Sequence, residues 1–251
     1  MTSDSQHVII EQNDAILRIQ LNRPKKKNAL SFAMYDALTA ALQQADSDPS
    51  IRVVYITGSG DSYTAGNDLK DFLSGQRPTD DVGPAGQFIK QISITETPIV
   101  AAVGGIAVGV GVTMLLHCDL VYAADNALFN FAFVDLGAVP EAASSYLLPR
   151  MVGQRRAAEL LMLGEKFGAE TARDFGVVNA VVSAENLQDF AWDKAVRLAK
   201  KPPQALHQTK MLLKRGAAQA VADAIEAEGI VFNERINSAE ARDIMMKILS
   251  R

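Results

Sequence analysis

Apolar residues in the first fifty positions form two short runs and then one helical stripe. The runs at 8–10 and 16–21 flank Asn13-Asp14, which predicts an N-terminal β-hairpin. From Ser31, a possible N-cap, apolar side chains recur on one helical face as far as Asp48-Pro49. A helix is therefore expected to follow the hairpin.

Two further buried strands are each followed by glycine. Residues 51–57 are apolar and β-branched and run directly into a loop at 58–61, and the apolar run 99–103 leads into glycines 104, 105, 109 and 111. A helix at about 111–117, a strand at 120–123 and an extended segment at 127–131 should follow. The central chain thus repeats strand, strand and helix, which predicts an α/β fold.

The last hundred residues favour helices. Past Pro140 the pattern is mainly helical except at 177–182, and the apolar residues between 187 and 198 lie on one helical face. After Pro202-Pro203, residues 204–249 predict two or three helices. Such a helical tail is expected to pack on a partner subunit or back over the core.

Composition excludes several classes of function. The chain has 251 residues, 48% hydrophobic and 22% charged, which is typical of a globular protein. With a net charge of −4 and no long basic run, nucleic acid is not an expected partner. The apolar stretch 99–116 is rich in glycine and suits a buried strand and helix, so no membrane association is expected. A single cysteine and an N-terminus without a signal pattern predict a cytoplasmic address.

Two glycine-bearing loops, at 63–69 and 105–111, follow buried strands and are candidates for chemistry. Glycine lets the main chain approach a ligand closely, and two converging N–H groups form an oxyanion hole. The alternative is that both are ordinary tight turns. A phosphate-binding loop is disfavoured because no Gly-Lys-Ser/Thr follows, and a dinucleotide fingerprint fails because position 114 is not glycine.

These loops belong to a longer set of motifs. Asn22-Arg23-Pro24 with Asn28-Ala29-Leu30, then Ala65-Gly66-Asn67-Asp68-Leu69, then the stretch 105–119, resemble the crotonase (enoyl-CoA hydratase/isomerase) superfamily in order and spacing. The resemblance covers nearly the whole chain. Within the superfamily, the 58–69 region together with residues 140–146 looks like the Δ3,Δ2-enoyl-CoA isomerase branch.

The resemblance implies an architecture and an assembly. The fold would be a crotonase-type spiral of ββα units with a C-terminal helical region. Residues 1–190 would form the spiral core and residues 191–251 a helical trimerisation region. The expected assembly is a homotrimer or a dimer of trimers.

The resemblance also implies roles for individual residues. The backbone N–H groups of Asn67 and Val110 would hold the thioester oxygen of an acyl-CoA substrate. The segment that would bind the adenine end, largely through main-chain contacts, comprises Ala29, Ala65, Gly66, Asp68 and Leu69. The exposed-looking run at 25–27 is either a set of phosphate partners or a solvated basic loop. Coenzyme A would enter only as part of the substrate, with no separate cofactor and no metal.

One departure concerns the second loop, where the family usually has an Asn-Gly pair and this chain has Gly104-Gly105. The turn stays usable, but the asparagine side-chain hydrogen bond is lost.

The acid/base group decides the reaction. Hydratases of the superfamily use two glutamates, and counting from Cys118-Asp119 places Thr113 and Phe133 at those positions. Neither transfers protons at neutral pH. The isomerase branch uses one later glutamate, which matches Glu141. The alternative is that Glu141 is a carboxylate stabilised by the N-terminus of the following helix.

The leading hypothesis is therefore an isomerase that moves the double bond of an enoyl-CoA from the 3,4 to the 2,3 position, in β-oxidation of unsaturated acyl chains. The rivals are 2-enoyl-CoA hydration and a non-catalytic acyl-CoA-binding protein. His117 and Cys118, at the end of an apolar helix, are interpreted as core or helix-end groups. No set of metal ligands is evident.

Overall fold

A computed structural model describes residues 7–73 and 83–250 of the chain. The strands are Val8–Asn13 (β1), Ile16–Leu21 (β2), Val53–Gly58 (β3), Ile99–Val103 (β4), Ile106–Val108 (β5), Leu120–Ala124 (β6), Leu128–Asn130 (β7), Phe167–Gly168 (β8) and Ala180–Val182 (β9). The helices are Phe32–Ser47 (α1), Leu69–Leu73 (α2), Gly83–Ile94 (α3), Val110–Thr113 (α4), Ser144–Val152 (α5), Gln154–Ala158 (α6), Ala169–Asp174 (α7), Leu187–Ala199 (α8), Pro203–Arg215 (α9), Ala218–Ile236 (α10) and Ala239–Leu249 (α11). Short 3-10 turns occupy Pro24–Lys26, Met114–His117 and Val134–Leu136, and a π-helical turn occupies Glu159–Leu163.

The strands form two sheets between which the chain alternates. One sheet has the order β1-β2-β3-β4-β6-β9 and is parallel except for the β1–β2 hairpin. The other has the order β5-β7-β8. Because β4 is followed by β5 and then α4, and β6 is followed by β7 and later helices, the chain repeats ββα units. The predicted crotonase-type spiral is confirmed.

The predicted N-terminal elements form for the expected physical reasons. The hairpin pairs Val8 with Leu21 and turns through Asp14, which has a φ of 52°. Ser31 caps α1, because its side chain accepts a hydrogen bond from the Met34 N–H. The apolar stripe of α1 then faces the main core.

The far side of the large sheet is covered by α8. Tyr55 on β3 meets Trp192 edge to face with ring centroids 5.2 Å apart, and Tyr122 on β6 meets Phe190 in the same way at 5.3 Å. The boundary predicted between 190 and 191 falls inside this helix, which packs on the sheet. The division into core and trimerisation region stays a prediction.

Some elements were not evident in the sequence. Helices α2 and α3 lie in a region for which no helix was predicted, and β5 lies within the second glycine loop. The tail forms three helices, at the upper end of the expected number. Within residues 7–73 and 83–250, no helix combines the length and apolarity needed to cross a membrane.

Candidate active site

The two glycine loops lie side by side. Thr64 and Ala107 form an isolated parallel bridge, in which the Thr64 N–H donates to the Ile106 carbonyl at 3.0 Å and the Val108 N–H donates to the Thr64 carbonyl at 3.1 Å. These backbone bonds fix the relative register of the two loops. The loops therefore form one hydrogen-bonded unit.

The two predicted N–H donors occupy equivalent sequence positions relative to this bridge. Asn67 lies three residues after one bridged residue, and Val110 lies three residues after the other. Within the described part of the chain, neither N–H donates to a protein acceptor. Val110 is the first residue of α4, where N–H groups have no intrahelical partner. Both groups are thus available to an external acceptor.

Glycine is required at two points of this unit. Gly66 has a φ of +84°, and a Cβ there would lie 2.6 Å from the Val108 carbonyl oxygen. Gly105 has a φ of +64°, and a Cβ there would lie 1.8 Å from the Asp61 carbonyl oxygen. A side chain at Gly66 would force the two loops apart, and one at Gly105 would collide with the backbone that leads into the first loop.

The predicted adenine-binding residues come together next to the first loop. The Ala65 N–H donates to the Lys27 carbonyl at 2.8 Å, and the Leu30 N–H donates to the Gly66 carbonyl at 2.8 Å. The chain from 65 to 69 therefore runs beside 27–30, with Ala29 between. Residues 25–27 are exposed at the edge of this segment.

Arg23 holds the two segments together. Its guanidinium donates to the Ala29 carbonyl at 3.1 Å and to Asp68 Oδ2 at 2.6 Å. Asp68 Oδ1 also accepts from the Lys70 N–H at 3.1 Å, at the start of α2. The Asp68 side chain therefore has a structural role, and its N–H and carbonyl are also used within the protein, by the Leu30 carbonyl and the Asp71 N–H.

Glu141 is a buried carboxyl group without a partner. Only 5% of the residue is exposed, and its Oε1 has no hydrogen-bond partner. Burial, and then the nearby charge of Glu228, raise the pKa of Glu141 to about 8. A carboxyl group with this pKa exchanges protons near neutral pH.

The helix-capping alternative for Glu141 is not what the geometry shows. Helix α5 begins at Ser144, whose N–H donates to the Glu141 carbonyl, and the N–H groups on either side of Ser144 donate to another carboxylate. Glu228, on α10, accepts from the Ala143 N–H at 2.6 Å and from the Ser145 N–H at 2.9 Å. The Glu141 side chain therefore does not cap this helix.

The two positions where the resemblance predicts hydratase glutamates, Thr113 and Phe133, are buried. Thr113 is fully buried, and its hydroxyl oxygen has no partner. Phe133 is 3% exposed, and its ring lies 3.9 Å from the place of a Cβ on Gly109. Both residues therefore lie close to the glycine loops.

A family model described as enoyl-CoA hydratase/isomerase matches residues 11–249. The chain belongs to this family. "Enoyl-CoA delta isomerase 2" of Rattus norvegicus is 34% identical over 253 residues, covering 99% of this chain and 64% of that protein's length. "1,2-epoxyphenylacetyl-CoA isomerase" of Escherichia coli K12 is 35% identical over 198 residues and covers 74% of each chain.

Solved structures agree with this membership. The crystal structure of an enoyl-CoA hydratase/isomerase from Pseudoalteromonas atlantica T6c superposes with a TM-score of 0.93, at 38% identity and over 97% of both chains. The protein is accordingly an enzyme of the crotonase superfamily. Because the names of its relatives cover different reactions, family membership alone leaves the reaction open.

His117 and Cys118 are neutral side chains with a structural role. His117 Nε2 lies 2.8 Å from the Ala142 carbonyl oxygen, and burial lowers the pKa of His117 to about 4, so the neutral ring donates this bond. Burial raises the pKa of Cys118 to about 12, which leaves a thiol. Within the described residues, no group of three or more His, Cys, Asp or Glu side chains could hold a metal ion.

Two residues near the site were not found in the sequence. Tyr35 is fully buried on α1 and donates a hydrogen bond to Asn67 Oδ1. Glu228 lies on the apolar stripe of α10 that contains Ile225 and Phe232, and this acidic residue at a core position was the signal that could have revealed it.

Proposed function

We propose that this enzyme converts 3-enoyl-CoA thioesters into 2-enoyl-CoA thioesters. The observation that carries the proposal is Glu141, a buried carboxyl group with a free oxygen and a pKa near neutrality. By the resemblance, Thr113 and Phe133 occupy the positions of the two glutamates with which hydratases activate water. A single proton carrier suits a reaction that only moves a proton and a double bond.

Glu141 acts first as a base and then as an acid. Its carboxylate takes a proton from C2, and the electrons of that C–H bond, together with those of the 3,4 double bond, delocalise over a dienolate. The protonated Glu141 then returns the same proton to C4, which leaves the double bond between C2 and C3. No atom is gained or lost, and no co-reactant is needed.

The negative charge that develops on the thioester oxygen is held by the N–H groups of Asn67 and Val110. The parallel bridge supports this role because it holds the two donor-bearing loops side by side, and neither N–H donates within the described residues. Donors that are already fixed cost no reorganisation when charge develops, which lowers the barrier.

We propose that the coenzyme A part of the substrate binds along residues 65–69. The N–H groups of Ala65 and Asp68 are both used within the protein, donating to the carbonyls of Lys27 and Leu30. The Ala65 carbonyl accepts no hydrogen bond from the described residues, so it is the main-chain group that would accept from the adenine amino group. Residues 25–27 would flank the phosphates.

The proposed assembly is a homotrimer or a dimer of trimers, built through the C-terminal helices. Large apolar side chains are exposed on α9, α10 and α11 in the single chain, including Leu213 at 79%, Ile230 and Met246. Light scattering tests this assembly, and Leu213→Arg should lower the molar mass if α9 contributes to the interface.

One experiment tests the function. The protein is incubated separately with a 3-enoyl-CoA and with the matching 2-enoyl-CoA, and ultraviolet absorbance is followed. Isomerisation creates a conjugated thioester and raises the absorbance, whereas hydration removes the conjugation and lowers it. No change with either substrate, together with measurable acyl-CoA binding, would identify a non-catalytic protein and refute the proposal.

A further inference from the structure

The segment that carries Glu141 is held by a second buried glutamate. We infer that Glu228 is a positioning residue for Glu141: its carboxylate, reaching across from α10, fixes the turn that follows Glu141 and electrostatically opposes ionisation of that side chain. The inference rests on the proposed function and assigns to a residue of the C-terminal helices a part in the proton transfer.

The backbone conformation of the turn that follows Glu141 is unfavourable for the alanine residues that form it. Ala142 and Ala143 both have left-handed backbone conformations, with φ of 59° and 55°. Alanine rarely adopts this conformation, because its Cβ crowds the backbone, and two such residues in succession need external support. The support comes from His117, whose ring bonds the Ala142 carbonyl, and from Glu228, which bonds the Ala143 N–H.

Glu228 is well suited to hold a negative charge at this place. It is 8% exposed and accepts from the N–H groups of Ala143 and Ser145 and from the Ser145 hydroxyl. Burial raises the pKa of Glu228, and these hydrogen bonds counteract the rise. Glu141 has no such donors to its carboxyl group among the described residues, so Glu228 is ionised first and Glu141 keeps its proton to higher pH.

The other titratable groups around Glu141 are neutral. Tyr35 on α1 interacts electrostatically with Glu141, but burial raises its pKa well above the usual value, so it carries no charge. His117, in the 3-10 turn after α4, has a pKa of about 4 and is also neutral near pH 7. Within the described residues, Glu228 is thus the charge that acts on Glu141.

The test compares two changes to Glu228 with one matched control. Glu228→Gln removes the charge and replaces one acceptor oxygen by an amide group. Glu228→Asp keeps the charge but shortens the reach to the Ala143 and Ser145 donors. Glu226→Gln makes the same chemical change two residues away on the exposed face of α10. For each protein, kcat and KM for a 3-enoyl-CoA are measured from pH 5 to pH 10.

In Glu228→Gln, the acidic limb of kcat/KM should move to lower pH by on the order of one unit, because the repelling charge is gone. In Glu228→Asp, the limb should stay near its wild-type position while kcat on the high-pH plateau falls about tenfold or more, because the turn is no longer held in place. KM should change little in both, and Glu226→Gln should match the wild type. A limb in Glu228→Gln that coincides with that of Glu226→Gln would overturn the inference.

A spectroscopic titration separates this inference from the proposed function. Protein labelled with ¹³C at the glutamate carboxyl is titrated by NMR, and the Glu141 signal is identified by its absence in Glu141→Gln. Glu228 titrates while Glu141 is still protonated, so the pKa of Glu141 should fall by on the order of one unit in Glu228→Gln, whereas the pKa of Glu228 should be nearly unchanged in Glu141→Gln.

This second readout needs no catalytic activity, and it uses both Glu228 variants, because Glu228→Asp keeps the charge and should leave the pKa of Glu141 near its wild-type value. If the wild type lacks isomerase activity but the two pKa values are coupled, the proposed function fails and the coupling stands. If the wild type is an active isomerase and the pKa of Glu141 is the same in wild type and Glu228→Gln, the inference fails alone.

Discussion

The hydroxyl group of Tyr35 donates a hydrogen bond to the side-chain oxygen of Asn67. Tyr35 lies fully buried on α1, and Asn67 carries one of the two N–H groups proposed to hold the thioester oxygen. The bond therefore links the first helix to the first loop. It gives the Asn67 side chain a structural task that is distinct from the task of its main chain.

Proline at Asn67 should impair catalysis far more than alanine there. Proline has no N–H, so Asn67→Pro removes the donor itself, and loss of one such donor typically lowers kcat by about 10²–10³-fold. Asn67→Ala keeps the N–H and should retain kcat within about tenfold. Folding of each variant is checked by circular dichroism. A folded Asn67→Pro enzyme with wild-type kcat would contradict the assignment, and Val110→Pro provides the same test in the second loop.

Removing the Tyr35 hydroxyl should affect stability more than chemistry. Tyr35→Phe leaves the Asn67 side-chain oxygen without this donor, which typically costs about 1–3 kcal/mol for a buried group. Tyr63→Phe is a matched control, because Tyr63 is also fully buried but its hydroxyl bonds the sulfur of Met114, a weak acceptor. Thermal unfolding should show the larger loss for Tyr35→Phe. Equal losses would mean that the bond to Asn67 adds nothing.

Glu141→Gln should remove most isomerase turnover while leaving acyl-CoA affinity nearly unchanged. The amide has the size of the carboxyl group but cannot accept the C2 proton, and loss of a general base typically costs about 10²–10⁴ in rate. Turnover is measured with a 3-enoyl-CoA and affinity by calorimetry with a saturated acyl-CoA. Turnover within a few-fold of wild type would exclude Glu141 from the mechanism.

Glu141→Gln should also change the way in which the stability of the protein depends on pH. The pKa of Glu141 rises from 4.5 to about 8 on folding, so the folded state binds the proton more tightly than the unfolded state. Its contribution to stability is therefore fully present below pH 4.5 and is lost as pH rises to 8, at up to about 1.4 kcal/mol per pH unit. Glu141→Gln cannot ionise, so its melting temperature relative to wild type should be higher at pH 9 than at pH 5. An unchanged difference would show that Glu141 is not buried as an acid.

Local sequence patterns were sufficient for the elements that frame the site. Three elements were predicted from residues that are neighbours in the chain, and all three formed. They are α1 after Ser31, β3, and the helix that begins at Val110. Asn67, Val110 and Glu141 were predicted from motif order, and Tyr35 bonds the side chain of the first and interacts electrostatically with the third.

Long-range contacts explain what the sequence did not reveal. The link between Glu228 and Ala143 spans 85 positions, and the bond from Tyr35 to Asn67 spans 32. No periodicity within one helix indicates which distant N–H its polar residue will meet. The sequence could show that Glu228 lies on an apolar stripe, and only the packing of α10 against the start of α5 gives that position a role.

The ratio of isomerisation to hydration provides the sharpest test of the proposed reaction. Hydration needs one group to position water and another to deprotonate it, whereas Thr113 and Phe133 occupy the places of the paired carboxylates. Glu141 alone would have to do both tasks, so hydration should be at most a weak side reaction.

The ratio is measured with a 2-enoyl-CoA and the matching 3-enoyl-CoA, both at saturation. Faster hydration than isomerisation in the wild type would replace the isomerase proposal by the hydratase alternative. The double variant Thr113→Glu/Phe133→Glu should shift the ratio toward hydration. Both positions are buried, so unpaired carboxylates there will lower stability, and folding is checked first. An unchanged ratio in a folded double variant would show that these two positions are not the hydratase sites, because carboxylates placed correctly beside C2 and C3 must activate water.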